Sequence, residues 1–497
     1  MKKKFYITTP IYYPSGKPHM GHAYSSILTD IIARFKRLEG FQVFFLTGTD
    51  EHGLKIQKSA EKVKSETIKY CDDLSSIFRK LSDQLCLSNT DFIRTTENRH
   101  KNTVQKLWEL LSKKDQIYLS KYSGWYSISD EAYYSNDEII DVEGSKKAKV
   151  SGSLVEWMEE ESYFFKLSSY ENKLLDYYNK NPDFIQPTSR KNEVISFVKQ
   201  GLKDLSISRT TFDWGIKVPG HKKHIVYVWL DALTNYISAS NYFKCGQDAP
   251  WPADIHIIGK DILRFHAVYW PAFLMAANIP LPKKIFSHGW ILSGEEKMSK
   301  SKGNILDPIE IIEHYGIDEL RYYLSKEVVF GADGKINNEN LEICINDLAN
   351  NIGNLSQRVF TLIEKYYNSK MPEKSQNYTR SSLTMINTKD FQKYLYNLEI
   401  HNYVREINKY SSKINKYVND NEPWNRKINS DENIRNILYT SINSLKNIFI
   451  LLSPIMPKKS NYFLNLLGLK SYDFNTLDKD IPSDQKLIKP GILFKKY

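Results

Sequence analysis

The stretch KFYITTPIYYPSGKPHMGHAYSSILTDIIARFKRLEGFQVFFL, residues 4–46, decides the fold class. Residues 5–9 are β-branched and alternate in polarity, which predicts a strand. Apolar residues then recur at helical spacing from Gly21 until Gly40, and the apolar run 43–46 is typical of a buried parallel strand. A strand, a helix and a strand in this order form a right-handed βαβ unit. We therefore expect an α/β chain built on a Rossmann-type parallel sheet.

Two histidines, His19 and His22, lie between the first strand and the helix, with Gly21 between them. Ligands of parallel sheets bind beyond the carboxyl ends of the strands, where helix N-termini offer unpaired N–H groups to anions. Gly21 lets a phosphate or a base approach the backbone, and GTDEHG (48–53) follows the second strand, so it faces the same crevice. The plainer interpretation, that the histidines only cap the helix, stays open at this point.

A second motif, EEKMSKSKGN, covers residues 295–304 and follows apolar strands expected at 285–286 and 288–292. Its lysines, Lys297 and Lys300, provide two mobile ammonium groups that suit a phosphate chain as point charges. A solvated charged loop is the ordinary alternative for such a run.

The ordered pair HMGH and KMSKS resembles the two signatures of the class I aminoacyl-tRNA synthetases. KMSKS matches letter for letter, and HMGH is a mild variant of the histidine–glycine–histidine pattern. The resemblance implies ATP-dependent activation of an amino acid, with Mg²⁺ accompanying the ATP. The implied catalytic residues are His19, His22, Lys297 and Lys300, and the implied ATP-binding residues are His19, Gly21, His22, Lys297, Ser299 and Lys300.

Along nearly its whole length the chain is similar to the methionyl-tRNA synthetases, in the stretches TPIYYPSGKPHMGH, GTDEHG, YVWLDALTNY, IIGKDILRFHAVYWPAFL, HGWILSGEEKMSKSKGN and EPWN. That family joins L-methionine to ATP as methionyl-adenylate and transfers methionine to the 3′ end of tRNA(Met). Aromatic walls suit a thioether, and a carboxylate such as that of Asp50 can bind the substrate ammonium. Without the resemblance, the aromatic residues would be assigned to ordinary core packing. The implied methionine-binding residues are Ile11, Tyr13, Asp50, Trp229, Leu233, Tyr236, Phe265 and His266.

Residues 115–215 interrupt the βαβ rhythm and resemble the connecting insert of this family. Short strands are expected around 118–127, and the run SYFFKLSSYENKLLDYYN (162–179) predicts a helix. Many relatives hold a cysteine-ligated zinc knuckle here, but Ser127 and Asp130 stand where such cysteines would be, and residues 100–240 contain no cysteine. We therefore expect a metal-free knuckle without structural zinc. The insert is also too short for a large editing domain.

Most of the positive charge lies near the end of the sequence. Residues 346–497 contain 23 Lys+Arg and 14 Asp+Glu and so carry +9 of the net +11. Helical spacing from Leu348, and further helices expected at 388–420 and 431–452, predict an α-helical bundle whose charge suits a polyanion. In the family, positions matching Asn354, Arg358 and Trp424 read the tRNA anticodon. A helix-packing tryptophan is the alternative for Trp424.

The resemblance also sets the expected domain boundaries. Residues 1–114 and 216–285 are expected to form the two halves of the Rossmann catalytic domain, and residues 115–215 the inserted connecting domain. Residues 286–345 are expected to carry the KMSKS loop and a stem-contact region. Residues 346–497 are expected to form the helical anticodon-binding domain.

Composition sets the remaining expectations. Hydrophobic residues make up 41% and charged residues 26% of the chain, the four cysteines are scattered, and no apolar stretch has signal or membrane length. We expect a cytoplasmic monomer whose partners are L-methionine and tRNA(Met), initiator and elongator, with no membrane. Two alternatives stay open: a different class I synthetase or a smaller nucleotidyltransferase with the same motif pair, and a tRNA-binding paralogue without catalysis.

Overall fold

The computed structural model describes residues 3–130, 132–134, 136–142, 144–293, 296–297, 307–329, 331–376, 378, 382–425 and 429–497. A six-stranded parallel sheet lies at its centre, where Lys4–Thr8 pairs with Gln42–Thr49 on one side and with Ile255–Gly259 on the other. The α/β fold with a parallel sheet, expected from residues 4–46, is confirmed. From edge to edge the strands are Asp91–Arg94, Gln42–Thr49, Lys4–Thr8, Ile255–Gly259, Ile285–His288 and Ile185–Gln186.

The helix that follows the first strand runs over Met20–Leu38 and is called the HMGH helix below. Its apolar residues Ile27, Ile31 and Phe35 are fully buried, as their helical spacing predicts. Gly40, at φ +86°, then turns the chain into the next strand. The other helices before residue 345 that the structure describes are Leu54–Lys62, Thr67–Gln84, Asn98–Lys113, Glu171–Lys180, Thr188–Lys199, Val228–Leu233, Asn235–Ala239, Tyr242–Cys245, Trp270–Ala277, Pro308–Tyr315 and Ile317–Glu327.

A long antiparallel hairpin forms most of the insert. Ile117–Ser127 pairs with Glu156–Phe165, and Leu205–Ser206 and Ala132–Tyr134 flank the pair. The helix expected over 162–179 is therefore wrong in its first part, since Phe164 and Phe165 pair with the opposite strand and the α-helix begins only at Glu171. Aromatic residues favour a strand once a partner strand covers them, and that partner lies far away in sequence.

The range 115–215 does not form a single separate unit. Ile185–Gln186 lies inside that range, yet it pairs in parallel with Ile285–Phe286 as an edge strand of the main sheet. The chain therefore returns to the main parallel sheet before the insert range ends. The smaller sheets contain Ile139–Val142 with Ser145–Ala148; Ser208–Arg209, His221–Val226 and Lys217–Val218; and Glu296–Lys297, Ile291–Ser293 and Gly334–Ile336.

Helices dominate the basic end of the chain, as its periodicity predicts. The stripe from Leu348 through Ile352, Leu355 and Val359 is buried against neighbouring helices. None of the helices in the described part of the chain combines the length and apolarity needed to cross a membrane. The bundle helices are Asn338–Leu348, Asn354–Tyr367, Thr388–Tyr396, Ile400–Asn421, Asp431–Leu452 and Pro457–Leu466.

One buried arginine ties the bundle to the HMGH helix. Arg321, on the helix Ile317–Glu327, is fully buried, and its Nη2 donates to Asp30 of the HMGH helix at 2.7 Å. The same guanidinium donates to the carbonyls of Pro454 and Ile455, beyond the end of a bundle helix, at 2.8 and 2.7 Å. The helices on both sides belong to one continuous hydrophobic core. The bundle is therefore packed directly onto the half of the chain that contains the parallel sheet.

Candidate functional site

The two motif histidines cap the HMGH helix with their own rings. His19 is the N-cap, and its Nδ1 accepts a hydrogen bond from the Gly21 N–H at 3.1 Å, while Nδ1 of His22 accepts from the His19 N–H at 3.1 Å. A ring nitrogen that accepts from an N–H carries no proton itself, so both imidazoles are neutral with their proton on Nε2. The cap therefore also fixes two Nε2–H donors at the positive end of a helix.

Gly21 is required between these rings. A Cβ at this position would lie 2.9 Å from Cε1 of His19, closer than real Cβ contacts allow. Any side chain at residue 21 would displace the His19 ring from its cap.

Tyr12 and Tyr13 connect the histidines to the GTDEHG loop. The Tyr12 ring lies 4.9 Å from the His22 ring, and the Tyr12 carbonyl accepts from the Asp50 N–H at 2.9 Å. The Tyr13 hydroxyl donates to the His52 carbonyl at 2.8 Å. The structure thus brings the HMGH motif and Asp50 to one crevice at the carboxyl end of the parallel strands.

An aromatic cluster lies against the same apolar core as Ile11 and Tyr13 of this crevice. The Trp229 and Phe265 rings stack with centroids 3.6 Å apart, and the Tyr236 hydroxyl lies 2.8 Å from Nε2 of His266. Nδ1 of His266 donates to the Ile262 carbonyl, so Nε2 is the acceptor and Tyr236 the donor. Burial lowers the pKa of His266 to about 4, which keeps this ring neutral. The structure places Ile11, Tyr13, Trp229, Leu233, Tyr236 and Phe265 in or against the same apolar cluster.

The helix expected to carry Trp229, Leu233 and Tyr236 consists of two short helices. Val228–Leu233 ends before Thr234, and Asn235–Ala239 continues the chain with Tyr236 as its second residue. Leu233 and Tyr236 are each 1% exposed, so both point into the interior.

The KMSKS motif lies mostly outside the described residues. Ser299 and Lys300 fall in the undescribed range, and for Lys297 only the backbone is described, paired with Leu292 in a small antiparallel ladder. The strand that precedes this ladder contacts the HMGH helix, because Nε2 of His288 lies 2.7 Å from the Ser25 hydroxyl. This contact joins the end of the main-sheet strand Ile285–His288 to the HMGH helix.

A polar groove crosses the helical bundle. Its cavity of about 1030 Å³ is lined by Lys326, Asn351, Asn354, Arg358, Asn415 and Asn419. A neighbouring cavity of about 550 Å³ lies between Arg358 and Trp424, whose ring centroid is 5.4 Å from the guanidinium carbon. Trp424 is 45% exposed, so it does not pack in the core. Nε and Nη2 of Arg358 are buried without a hydrogen-bond partner among the described residues.

Comparison with known proteins identifies the family. Residues 5–360 match the sequence model described as tRNA synthetases class I (M). The chain is 46% identical to a methionine–tRNA ligase of Rickettsia felis, with 100% of this chain and 99% of the relative covered. The chain belongs to the class I methionyl-tRNA synthetases. It is also 44% identical to a methionine–tRNA ligase of Listeria monocytogenes, with 99% of this chain and 77% of that relative covered.

A solved structure agrees with this family assignment. Methionyl-tRNA synthetase of Mycobacterium tuberculosis, in complex with methionyl-adenylate, superimposes with a TM-score of 0.96. The two sequences are 42% identical, and the match covers 99% of this chain and 100% of that one. Because the match runs over the whole length, it includes the crevice, the insert and the bundle.

Several buried polar residues near the crevice of this synthetase were not predicted from its sequence. Nδ1 of His256 lies 2.8 Å from the Thr8 hydroxyl, and its ring lies 4.1 Å from the ring of Tyr236. Asp231 accepts hydrogen bonds from His52 and His100 at 2.6 Å each. The available signal was a polar residue inside an apolar segment, as in IHII for His256 and VWLDAL for Asp231.

The groove also contains asparagines besides the predicted Asn354. Asn408, Ser412, Asn415 and Asn419 line it from the helix Ile400–Asn421. They follow one another at helical spacing, which was the signal available in the sequence. Amide side chains offer both donors and acceptors, which suits the edges of unpaired bases.

Hydrogen bonds organise the knuckle of the insert. Oδ1 of Asp130 accepts from the Ser153 hydroxyl at 2.8 Å, and Oδ2 accepts from the Tyr134 hydroxyl at 2.7 Å and from the Ser151 hydroxyl. The Asp130 N–H donates to Ser127 at 3.2 Å. Among the described residues no group of three or more His, Cys, Asp or Glu side chains is arranged to hold a metal. Asp130 thus connects the segments of the knuckle through hydrogen bonds to three hydroxyl groups.

Replacing Asp130 with alanine is expected to destabilise the knuckle, because three hydroxyl donors lose a charged acceptor. Hydrogen bonds to charged groups contribute about 1.5–3 kcal/mol, so a loss of about 2 kcal/mol in local stability is expected. Protection of the insert amides against hydrogen exchange measures this loss, with Asp213→Ala at an exposed site as the control. A wild-type protein that contained one zinc per chain, and lost the same protection on chelation, would contradict this account of the knuckle.

Proposed function

We propose that the chain activates L-methionine with ATP to methionyl-adenylate and then transfers methionine to the 3′ end of tRNA(Met). The observation that carries this proposal is the crevice in which Tyr12 contacts both His22 and the Asp50 N–H, while Tyr13 contacts the GTDEHG loop and the aromatic cluster. A phosphate site beside a pocket for an apolar side chain is the arrangement that amino-acid activation requires.

The proposed binding of methionine uses charge at one end and apolar contact at the other. Asp50 binds the ammonium group by a charge-assisted hydrogen bond. Ile11, Tyr13, Trp229, Leu233 and Phe265 surround the side chain, with Tyr236 and His266 at the polar end of the pocket. Sulfur–aromatic contacts contribute about 0.3–1.5 kcal/mol each, which favours a thioether over a plain alkyl chain.

In the proposed first step the methionine carboxylate attacks the α-phosphorus of ATP, and the bond to the bridging oxygen breaks to release pyrophosphate. Negative charge on the phosphate oxygens is stabilised by Nε2–H of His19 and His22 and by Lys297 and Lys300, with Gly21 and Ser299 in contact with ATP. Such transfer depends mainly on positioning and preplaced donors. Mg²⁺ accompanies ATP and neutralises phosphate charge. In the second step a hydroxyl of the terminal ribose attacks the carbonyl carbon and AMP leaves.

The domains are proposed along the same boundaries as above. Residues 1–114 and 216–285 carry most of the catalytic sheet, and 115–215 form the connecting insert, which also supplies the edge strand Ile185–Gln186 of that sheet. Residues 286–345 carry the KMSKS loop and stem-contact region, and 346–497 form most of the anticodon-binding bundle, whose first helix begins at Asn338. In that bundle Asn354 and Arg358 bind anticodon bases, which stack on Trp424. We further propose a cytoplasmic monomer that charges both initiator and elongator tRNA.

The test of the proposed function is ATP–pyrophosphate exchange with each of the twenty amino acids in turn. Exchange that depends on methionine, followed by charging of tRNA(Met) and not of tRNA with another anticodon, is the expected result. Exchange with isoleucine or valine in preference to methionine would overturn the proposed substrate. No exchange with any amino acid, together with retained tRNA binding, would favour a paralogue without catalysis.

Replacing Trp424 with alanine is expected to lower kcat/KM for tRNA by roughly 10- to 100-fold, since stacking on one aromatic residue contributes about 1–3 kcal/mol per base. Methionine-dependent pyrophosphate exchange should stay at the wild-type rate, because Trp424 lies in the bundle. Tyr462→Ala, which removes a similarly exposed aromatic residue from the bundle helix Pro457–Leu466, is the matched control. Equal loss of both activities, with a lower melting temperature, would assign Trp424 to packing instead.

A further inference from the structure

We propose that Asp231 is a positioning residue that fixes the distance between Asp50 and the pocket for the methionine side chain. This inference rests on the proposed function, in which Asp50 binds the ammonium group. Asp231 does not itself belong to the proposed binding residues. It acts through His52, which lies two residues after Asp50.

The carboxylate of Asp231 joins three separate segments of the chain. Oδ2 accepts from Nδ1 of His52 in the GTDEHG loop, and Oδ1 accepts from Nε2 of His100 on the helix Asn98–Lys113, both at 2.6 Å. Nδ1 of His100 in turn lies 3.0 Å from the hydroxyl of Ser238, on the helix that carries Tyr236. Each oxygen of the carboxylate thus has a separate histidine partner.

This cluster lies in the interior, where its geometry is tightly held. Asp231 and His100 are fully buried, and His52 is 3% exposed. Burial raises the pKa of Asp231, but the two histidines outweigh it and hold the pKa at about 2. The carboxylate is therefore ionised, and charge-assisted hydrogen bonds in a low-dielectric site are short and strong.

The positions of Asp231 and His52 along the chain show which two parts of the proposed methionine site the cluster holds in register. Asp231 lies between Trp229 and Leu233 on the pocket helix Val228–Leu233. His52 lies on the loop that presents Asp50, and its carbonyl accepts from Tyr13 on another wall of the pocket. A shift of the loop relative to this helix would change the space between the site for the ammonium group and the site for the thioether. An error of about 1 Å in the placement of a substrate can lower the efficiency of its reaction about 100-fold.

A merely structural role for Asp231 predicts a different result. A buried ion cluster that only holds the fold would lower stability when broken, and the folded fraction would bind methionine normally. A positioning role predicts weaker binding of methionine by fully folded protein, with little change for ATP. Comparing the loss of methionine affinity with the loss of stability therefore distinguishes a positioning role from a structural role.

The first experiment uses Asp231→Asn in the full-length chain, because asparagine keeps the shape and removes the charge. KM for methionine in pyrophosphate exchange is expected to rise about 10- to 100-fold, whereas KM for ATP stays within about twofold. Titration of tryptophan fluorescence with methionine alone provides the dissociation constant without turnover, since Trp229 lies in the pocket. The matched control is Asp318→Asn, another buried aspartate, which accepts from the backbone N–H groups of Lys458 and Lys459 in the bundle helix Pro457–Leu466. It is expected to lower the melting temperature without changing KM for methionine.

A double-mutant cycle tests whether Asp231 acts through His52. His52→Gln alone is expected to weaken methionine binding, and the double variant should bind no more weakly than the worse single variant. Additive losses would overturn the proposed route, and an unchanged methionine KM in Asp231→Asn would overturn the positioning role. If Asp231→Asn does not fold, His52→Gln carries the test, because it leaves the Asp231–His100 pair in place. Absence of exchange in the wild type would instead refute the proposed function.

Discussion

Replacing His22 with alanine is expected to slow formation of methionyl-adenylate by about 100- to 1,000-fold, with KM for methionine nearly unchanged. Loss of one preplaced donor to a developing oxyanion typically costs this much, because the donor acts mainly in the transition state. The neutral ring of His22 supplies this donor at Nε2, since its Nδ1 already accepts from the His19 N–H. Single-turnover rates with saturating ATP and methionine measure the effect.

Two further variants separate the cap from the chemistry. His22→Asn places an acceptor near the position of Nδ1 and lacks a donor at Nε2, so the helix cap is retained and the rate should fall as in the alanine variant. His22→Gln places its amide N–H₂ near the position of Nε2 and should recover part of the rate. If the asparagine variant reacted normally, the histidine would serve only as a cap. A rise in methionine KM alone would also contradict the assignment.

Replacing Arg321 with methionine is expected to destabilise the folded chain by about 3–5 kcal/mol, because the change leaves buried partners without their cation. Asp30 keeps Arg34 and Ser88, but it loses the contact at 2.7 Å, and three backbone carbonyls lose their donor. Urea unfolding followed by tryptophan fluorescence and circular dichroism measures the change. Lys489→Met, which removes an exposed cation paired with Glu364, is the control and should shift the midpoint little.

The loss of folding stability in Arg321→Met is expected to depend on pH, because Arg321 changes the pKa of Asp30. Burial raises the pKa of Asp30, but Arg321, Arg34 and their hydrogen bonds outweigh it and lower the pKa below its usual value. In the wild type the resulting stability is present above the pKa of the unfolded chain and is lost as pH falls through the folded pKa. Without Arg321 the folded pKa rises, so Asp30 becomes neutral at a higher pH. The deficit of Arg321→Met should therefore shrink towards acidic pH, and a constant deficit would contradict this explanation.

Local patterns in the sequence predicted those parts of the structure that depend on local forces. The helix between Gly21 and Gly40 and the apolar stripe from Leu348 have helical periodicity, which predicts a helix whichever element packs against it. The sequence around Phe164 and Phe165 predicts a helix, but the segment is a strand, because its pairing partner lies more than forty residues earlier in the chain. Tertiary pairing decided the structure of that segment.

The same distinction between local and long-range interactions applies to the residues of the candidate site. Motifs located His19, His22 and Asp50, because their positions follow from the ends of strands that the sequence already predicted. Asp231 was missed, because its partners His52 and His100 lie 179 and 131 residues away, and no local pattern connects such distant residues. The exposure of Trp424 also required the structure, since the sequence allowed both a packing and a binding role.

The pairing at the centre of the sheet has a consequence for the synthesis of the chain. Lys4–Thr8 completes its ladder only with Ile255–Gly259, and the Tyr6 N–H donates to a carboxylate 248 residues later in the chain. While the chain grows on the ribosome, the first βαβ unit can form, but one edge of FYIT stays open until most of the catalytic half has emerged. An open apolar edge is a site for aggregation. We therefore expect the nascent chain to depend on chaperones during this interval, and folding to accelerate once residue 259 has left the exit tunnel.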